Sequence, residues 1–159
     1  MKVSRSSLLW MLVLAALLAA LPGTAKRFLQ NGWYLFSEQF FRDMLARLSG
    51  PGRLRFILQP LVAIVFGVRD GLRDARAGSP AFLWALLFHS GHRPAMLRSS
   101  WAAIRDVVAL AILADLISQM LIFRQANPFA ALLLGPVLIS APYSCARALA
   151  NQRFLRPKS

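Results

Sequence analysis

The sequence predicts an all-α integral membrane protein: a small helical bundle with about four transmembrane helices, three if the second segment does not cross, plus interfacial amphipathic helices. Three observations carry this. Apolar residues make up 57% of the chain and charged residues only 16%, against about 25% charged in soluble domains. Residues 106 to 150 are almost unbroken apolar sequence, split only by Arg124, Gln125, Ala126, Asn127 and Pro128. The 19 basic residues, which give a net charge of +13, mostly flank the apolar segments and do not cover one polar face. A bilayer with anionic headgroups is therefore the expected counter-charge, and nucleic acid is not an expected partner.

The elements follow in order within a single membrane domain over 1–159. Residues 1–25 form an N-terminal anchor or signal-like helix. Lys2 and Arg5 precede an uncharged run from Leu8 to Leu21, and Gly23 and Ala25 are small enough for a cleavage site. Retention as an anchor is the expectation, because the rest of the chain is itself apolar enough to be embedded. Over 27–48, Leu29, Trp33, Phe36, Phe40, Met44 and Leu48 recur at steps of three and four, opposite Glu38, Arg42, Asp43 and Arg47. That pattern predicts one amphipathic interfacial helix, with Glu38 paired to Arg42 and Asp43 to Arg47. Ser49, Gly50, Pro51 and Gly52 end it.

A short span is expected over 54–69, with apolar Phe56 to Val68 reaching about 20 Å as helix and Pro60 bending it. Ser79 and Pro80 signal the start of an interfacial helix over 80–90, ended by Gly91. A transmembrane hairpin over 101–150 and a basic tail over 151–159 complete the chain. With four crossings the N-terminus is cytoplasmic; with three it is external. Both arrangements put residues 69 to 105 and the C-terminus in the cytoplasm under the positive-inside rule. The expected location is the bacterial cytoplasmic (inner) membrane.

Asp115 stands at the centre of the hairpin's first half. An acid at mid-bilayer is a functional hypothesis by default. Asp115, Ser118 and Gln119 share a helical stripe with Ala111 and Ala114, and Ser140 with Ser144 and Ala148 gives the second helix a face for close packing. Folding the hairpin about residues 125 and 126 sets Asp115 near Pro136 and makes Asp106 and Arg147 an expected ion pair. Arg147 lies too far along the helix to reach Asp115. The acid is thus expected without a cation, protonated, and hydrogen-bonded to Ser140, Gln119 or water. Gly135 and Pro136 are expected to break the second helix at mid-depth.

The run Arg69, Asp70, Gly71, Leu72, Arg73, Asp74, Ala75, Arg76 resembles part of the Asp-Gly, Ala-Arg signature of the CDP-alcohol phosphatidyltransferases. It has three residues between the two dipeptides where that family has two, and lacks the family's downstream glycine and paired aspartates. The run is therefore read as a helix end at the cytoplasmic surface, with Arg69, Asp70, Arg73, Asp74 and Arg76 facing headgroups. His89 and His92 are three apart, but Gly91 between them argues against a shared helical face, so no metal site is expected. Cys145 is the single cysteine. No phosphate loop, nucleophile elbow or metalloprotease motif occurs in the sequence. No catalytic residue and no cofactor is expected. The leading expectation is an accessory, assembly or structural subunit of a membrane complex, its partner another membrane protein or a second copy. The alternatives are an oligomeric proton-coupled transporter or channel using Asp115, and a lipid-modifying enzyme using Asp70 and Asp74.

Overall fold

Helix α1 runs Arg5–Asn31, about 40 Å at 1.5 Å per residue. The computed structural model to which it belongs describes residues 4–79, 82, 91 and 93–155. The expected helix over 80–90, and with it His89 and His92, lies outside the described residues apart from Phe82. Ser4 caps α1 by accepting from the Ser7 amide. The helix continues through Pro22 and stops only at Gly32, whose φ of 74° turns the chain as its amide bonds back to Phe28. The amphipathic helix expected over 27–48 is therefore two pieces. Residues 27–31 finish α1, a loop follows, and α2 spans Glu38–Ser49. Phe36 at φ 63° and the Ser37 side chain, which accepts from the Phe40 amide, start the new helix.

After a turn containing Gly50 and Gly52, α3 spans Arg55–Arg76, longer at both ends than the apolar run that signalled it. The hairpin follows as α4, Arg93–Phe123, and α5, Pro128–Leu155. Asn127 caps α5 by accepting from the Phe129 and Ala130 amides, with Pro128 in the favoured first helical position. Gly135 and Pro136 do not break α5, which is continuous. Gly135 instead lets α4 come close: a Cβ there would lie 2.9 Å from Ile112 Cγ1.

Among the described residues the regular elements are all helices, and α1, α4 and Pro128–Gln152 of α5 are long and apolar enough to cross a membrane. Helix α3 falls outside that set because Arg55, Arg69, Asp70, Arg73, Asp74 and Arg76 crowd its ends. The chain forms two compact units, 1–57 with 108–137 and 58–107 with 138–159. In the first unit, the C-terminal end of α1 latches onto the hairpin turn: Thr24 Oγ1 and Arg27 Nη2 both donate to the Ala126 carbonyl, at 3.2 and 2.9 Å. In the second, Gly67 and Gly71 press α3 against α5, so that a Cβ at either would run into the backbone of Tyr143 or Arg147.

This close approach yields a paired prediction. Gly71→Leu should lower the thermal unfolding midpoint in detergent, because overpacking costs about 1 to 3 kcal/mol. Gly23→Ala, where nothing lies within 4 Å of the new Cβ, should hold or raise it, since Ala is favoured over Gly by about 1 kcal/mol in a helix. Equal midpoints for the two variants would contradict the α3–α5 packing.

Candidate functional site

Two turns of α4 fix the centre of the first unit. Gly52, at φ 91°, sits so close to α4 that a Cβ would be 2.6 Å from Ser118 Oγ, and Gly50 packs on Ile122 in the same way. The glycine turn is thereby pressed onto α4 one helical turn from Asp115. Its flanks carry Arg47 in the last turn of α2 and Arg55 at the start of α3. Both arginines point inward onto the acid. Asp115 is fully buried, Arg55 Nη2 donates to its Oδ1, and Arg47 Nη1 stands 3.5 Å from Oδ2. Gln119, one turn along, donates to Oδ2 at 2.7 Å.

The network extends outward on both sides. Arg47 Nη2 reaches the Tyr34 hydroxyl at 3.4 Å, and that hydroxyl donates to Asp43 Oδ2 at 2.7 Å. Two cations and two anions therefore alternate along Asp43, Tyr34, Arg47, Asp115 and Arg55. On the other side Gln119 clasps the hairpin turn, accepting from the Asn127 amide at 2.7 Å and donating to its carbonyl. Among the described residues, Nε and Nη1 of Arg47 and of Arg55 have no hydrogen-bond partner. The guanidinium carbons face Phe123 at 5.8 Å and Phe56 at 4.5 Å, a partial compensation through the ring quadrupole.

The sequence-based picture of Asp115 is thus corrected. It has two cationic partners, supplied by α2 and α3 and not by the hairpin. Gln119 is beside it as expected. Ser118 bonds to the Ala114 carbonyl of its own helix and abuts Gly52, while Ser140 belongs to the second unit. The expected Asp43 to Arg47 pair is also replaced, since Arg47 turns in to Asp115 and Asp43 takes Tyr34.

The second unit has its own hub in Arg147, which is buried. It grips Asp74 with two nitrogens, Nε to Oδ2 at 2.6 Å and Nη2 to Oδ1 at 3.0 Å. Its Nη1 donates to Ser100 Oγ at 2.7 Å and to the Tyr143 hydroxyl at 3.0 Å, and Phe82 stacks at 4.7 Å. The Tyr143 hydroxyl in turn donates to Asp70 at 2.8 Å. Arg147 pairs with Asp74 and not with the expected Asp106, since Gly67 and Gly71 let α3 pack directly on α5 and carry Asp74 to it. Asp106 lies 3.7 Å from Arg105.

The charged run on α3 splits by helical face. Arg69, Arg73 and Arg76 are exposed, whereas Asp70 and Asp74 turn inward, each with 16% side-chain exposure. Their carboxylates are held by Tyr143 and Arg147, which removes them from the surface role read from the sequence.

Arg47, Arg55, Tyr34 and Asn127 were not read from the sequence as members of the network around Asp115. The available signal was two arginines flanking a Gly-Pro-Gly turn in a chain with a lone buried acid. Removing a single partner from a buried ion pair costs about 3 to 5 kcal/mol, whereas removing both charges together costs much less. Arg55→Met and Asp115→Leu should therefore each destabilise strongly, with the double variant well short of their sum. An additive cycle in detergent unfolding would contradict the pairing.

Burial, followed by the hydrogen bond to Asp43, pushes the Tyr34 phenol well above its ordinary value of 10.0. With the folded value raised, its contribution to stability is complete below pH 10.0 and is lost as pH rises further. Tyr34→Phe should flatten the alkaline limb of the stability profile, and an unchanged limb would contradict this assignment. No family model, no curated protein and no solved structure matches this chain, so its function is to be read from this geometry alone.

Proposed function

We propose that this is a small multi-pass protein of the bacterial cytoplasmic membrane, with a cytoplasmic C-terminus, that acts through helix–helix contacts. Its role would be an accessory, assembly or structural subunit of a membrane complex formed with another membrane protein or with further copies of itself. The observation that carries this reading is the outward face of α1. Only 11% of its apolar window is buried, against 44% for α4 and 33% for α5. On that helix Ala15, Ala19 and Gly23 stand at steps of four, all exposed, and a Cβ at Gly23 would meet nothing within 4 Å. In a bilayer, where lipid tails are as apolar as side chains, small residues at this spacing favour association by letting backbones approach.

The closed ionic networks support the same reading. Asp115 is held by two arginines and a glutamine within its own unit, which favours a structural part for it over a proton-carrying one. Helix α3 accompanies α5 in the same direction, Gly67 beside Tyr143 and Gly71 beside Arg147, which supports a fourth crossing by α3. With four crossings the N-terminus, residues 69–105 and the C-terminus share one side. Placing that side in the cytoplasm keeps Arg69, Arg73, Arg76, Arg93, Arg98 and Arg105 inside.

Native mass spectrometry of the protein extracted in mild detergents from its own membrane is the test. The expected result is a stoichiometric complex, lost in Ala19→Leu/Gly23→Leu while helical content is unchanged. A lone monomer across several detergents would overturn the proposal.

A further inference from the structure

We propose that the first unit carries a binding site for one glycerophospholipid, in a cavity of about 810 Å³ beside the C-terminal end of α1. The volume falls in the range of ligand pockets, roughly 300 to 1,000 Å³, and its lining is amphipathic. Leu21, Phe28, Trp33 and Phe129 form the apolar wall, with Arg27 and Asn127 among the polar groups. The aromatic rings are in mutual contact, Phe28 to Trp33 at 6.3 Å and Trp33 to Phe129 at 6.4 Å. They form a continuous surface from α1 to the start of α5.

The position of the cavity points to a lipid. It begins at Leu21, where the unbroken apolar run of α1 ends, and reaches past Lys26 and Arg27 to the loop with Trp33 and Tyr34, the residue order of a membrane–water boundary. Arg27 Nε and Nη2 are anchored on the carbonyls of Gly23 and Ala126, at 3.3 and 2.9 Å. Its Nη1 has no partner among the described residues, so the anchored guanidinium keeps a charged donor for a phosphodiester. Glu38, the acid in the lining, is paired with Arg42 and does not compete for Arg27. Acyl chains would run from Phe28 down the face of α1 toward Leu21.

The walls are also held in place before any lipid arrives. Tyr34 and Asn127 both line the cavity, and both bond to the buried network, Tyr34 through Arg47 and Asn127 through Gln119. A pre-formed wall lowers the ordering cost of binding.

The site is tested by native mass spectrometry of purified protein titrated separately with dioleoylphosphatidylglycerol, dioleoylphosphatidylethanolamine and dioleoylglycerol. One phospholipid of either kind should be retained per chain, and dioleoylglycerol, which lacks the phosphate, should not. Arg27→Gln should weaken retention about tenfold, the scale of one charge-assisted hydrogen bond. Because Arg27 also latches the hairpin turn, Ala25→Trp provides a second variant that fills the cavity from α1; it should abolish retention with helical content unchanged. Equal retention of dioleoylglycerol, wild-type retention in both variants, or a dimer that excludes lipid would overturn the assignment. The oligomer proposed above is read in the same spectra from subunit stoichiometry, so the two can fail separately.

Discussion

A carboxylate withdrawn from water must find positive charge and hydrogen-bond donors, and Asp115 organises the first unit through that requirement. The idealised cost of moving one ion from water to a medium of low dielectric is of order 20 kcal/mol, and several remain after relaxation. One arginine would leave an ion pair with spare acceptor capacity on the acid. Arg55, Arg47 and Gln119 together fill both carboxylate oxygens. To deliver both arginines the chain must end α2 and begin α3 against α4. Gly50 and Gly52 allow this, since a side chain at either would collide with its surroundings. The second arginine brings an excess positive charge, which Asp43 offsets through Tyr34. The break at Gly32 matters for the same reason: it frees the chain to start α2 in a direction that carries Arg47 inward.

The second unit solves the inverse problem, a buried cation, by different means. Arg147 is met by a bidentate carboxylate, three hydroxyl acceptors, on Ser99, Ser100 and Tyr143, and two aromatic faces. That geometry exploits the planar fork of guanidinium, which a lysine would not reproduce. Here the glycines act on a helix pair and not on a turn. Gly67 and Gly71 share the face of α3 that carries Asp70 and Asp74, so the residues that permit contact and those that use it lie one turn apart.

Much of the fold was legible in the sequence because its determinants are local. The hairpin, its turn at 124–127, the Asp115 to Gln119 stripe and the glycine turn at 50–52 each follow from periodicity or backbone restriction within a few residues. The partners of the buried charges were not legible in that way. Arg55 meets Asp115 across 60 residues and Arg147 meets Asp74 across 73, and helical periodicity carries no information about such pairings. The Asp43 to Arg47 spacing was a valid local pattern that a stronger nonlocal demand overrode. An exposed pair at that spacing contributes only a few tenths of a kcal/mol, far less than an unpaired acid at Asp115 would cost. Gly135 misled for a related reason: its sequence signal is helix breaking, but its use is close approach to Ile112.

Charge allocation links these networks to the outside of the molecule. The chain has six acidic residues, and Asp43, Asp70, Asp74 and Asp115 all bond to an arginine or tyrosine within a unit. Glu38 and Asp106 are the more exposed acids, at 80% and 52% of their side chains. With most of the acid turned inward, the polar surface is left strongly basic. Such a surface does not itself favour helix contacts in an apolar layer; in the proposed membrane setting it would meet an anionic headgroup plane, where each basic residue near the surface contributes about 1 kcal/mol. Helix α1 presents leucine, alanine and glycine without an ionisable group from Leu8 to Ala25. Polar chemistry is spent on holding the fold and, in the proposed membrane setting, on setting its depth. In the proposed role recognition is then left to shape, which is what a stripe of small residues and an amphipathic cavity on the same helix offer.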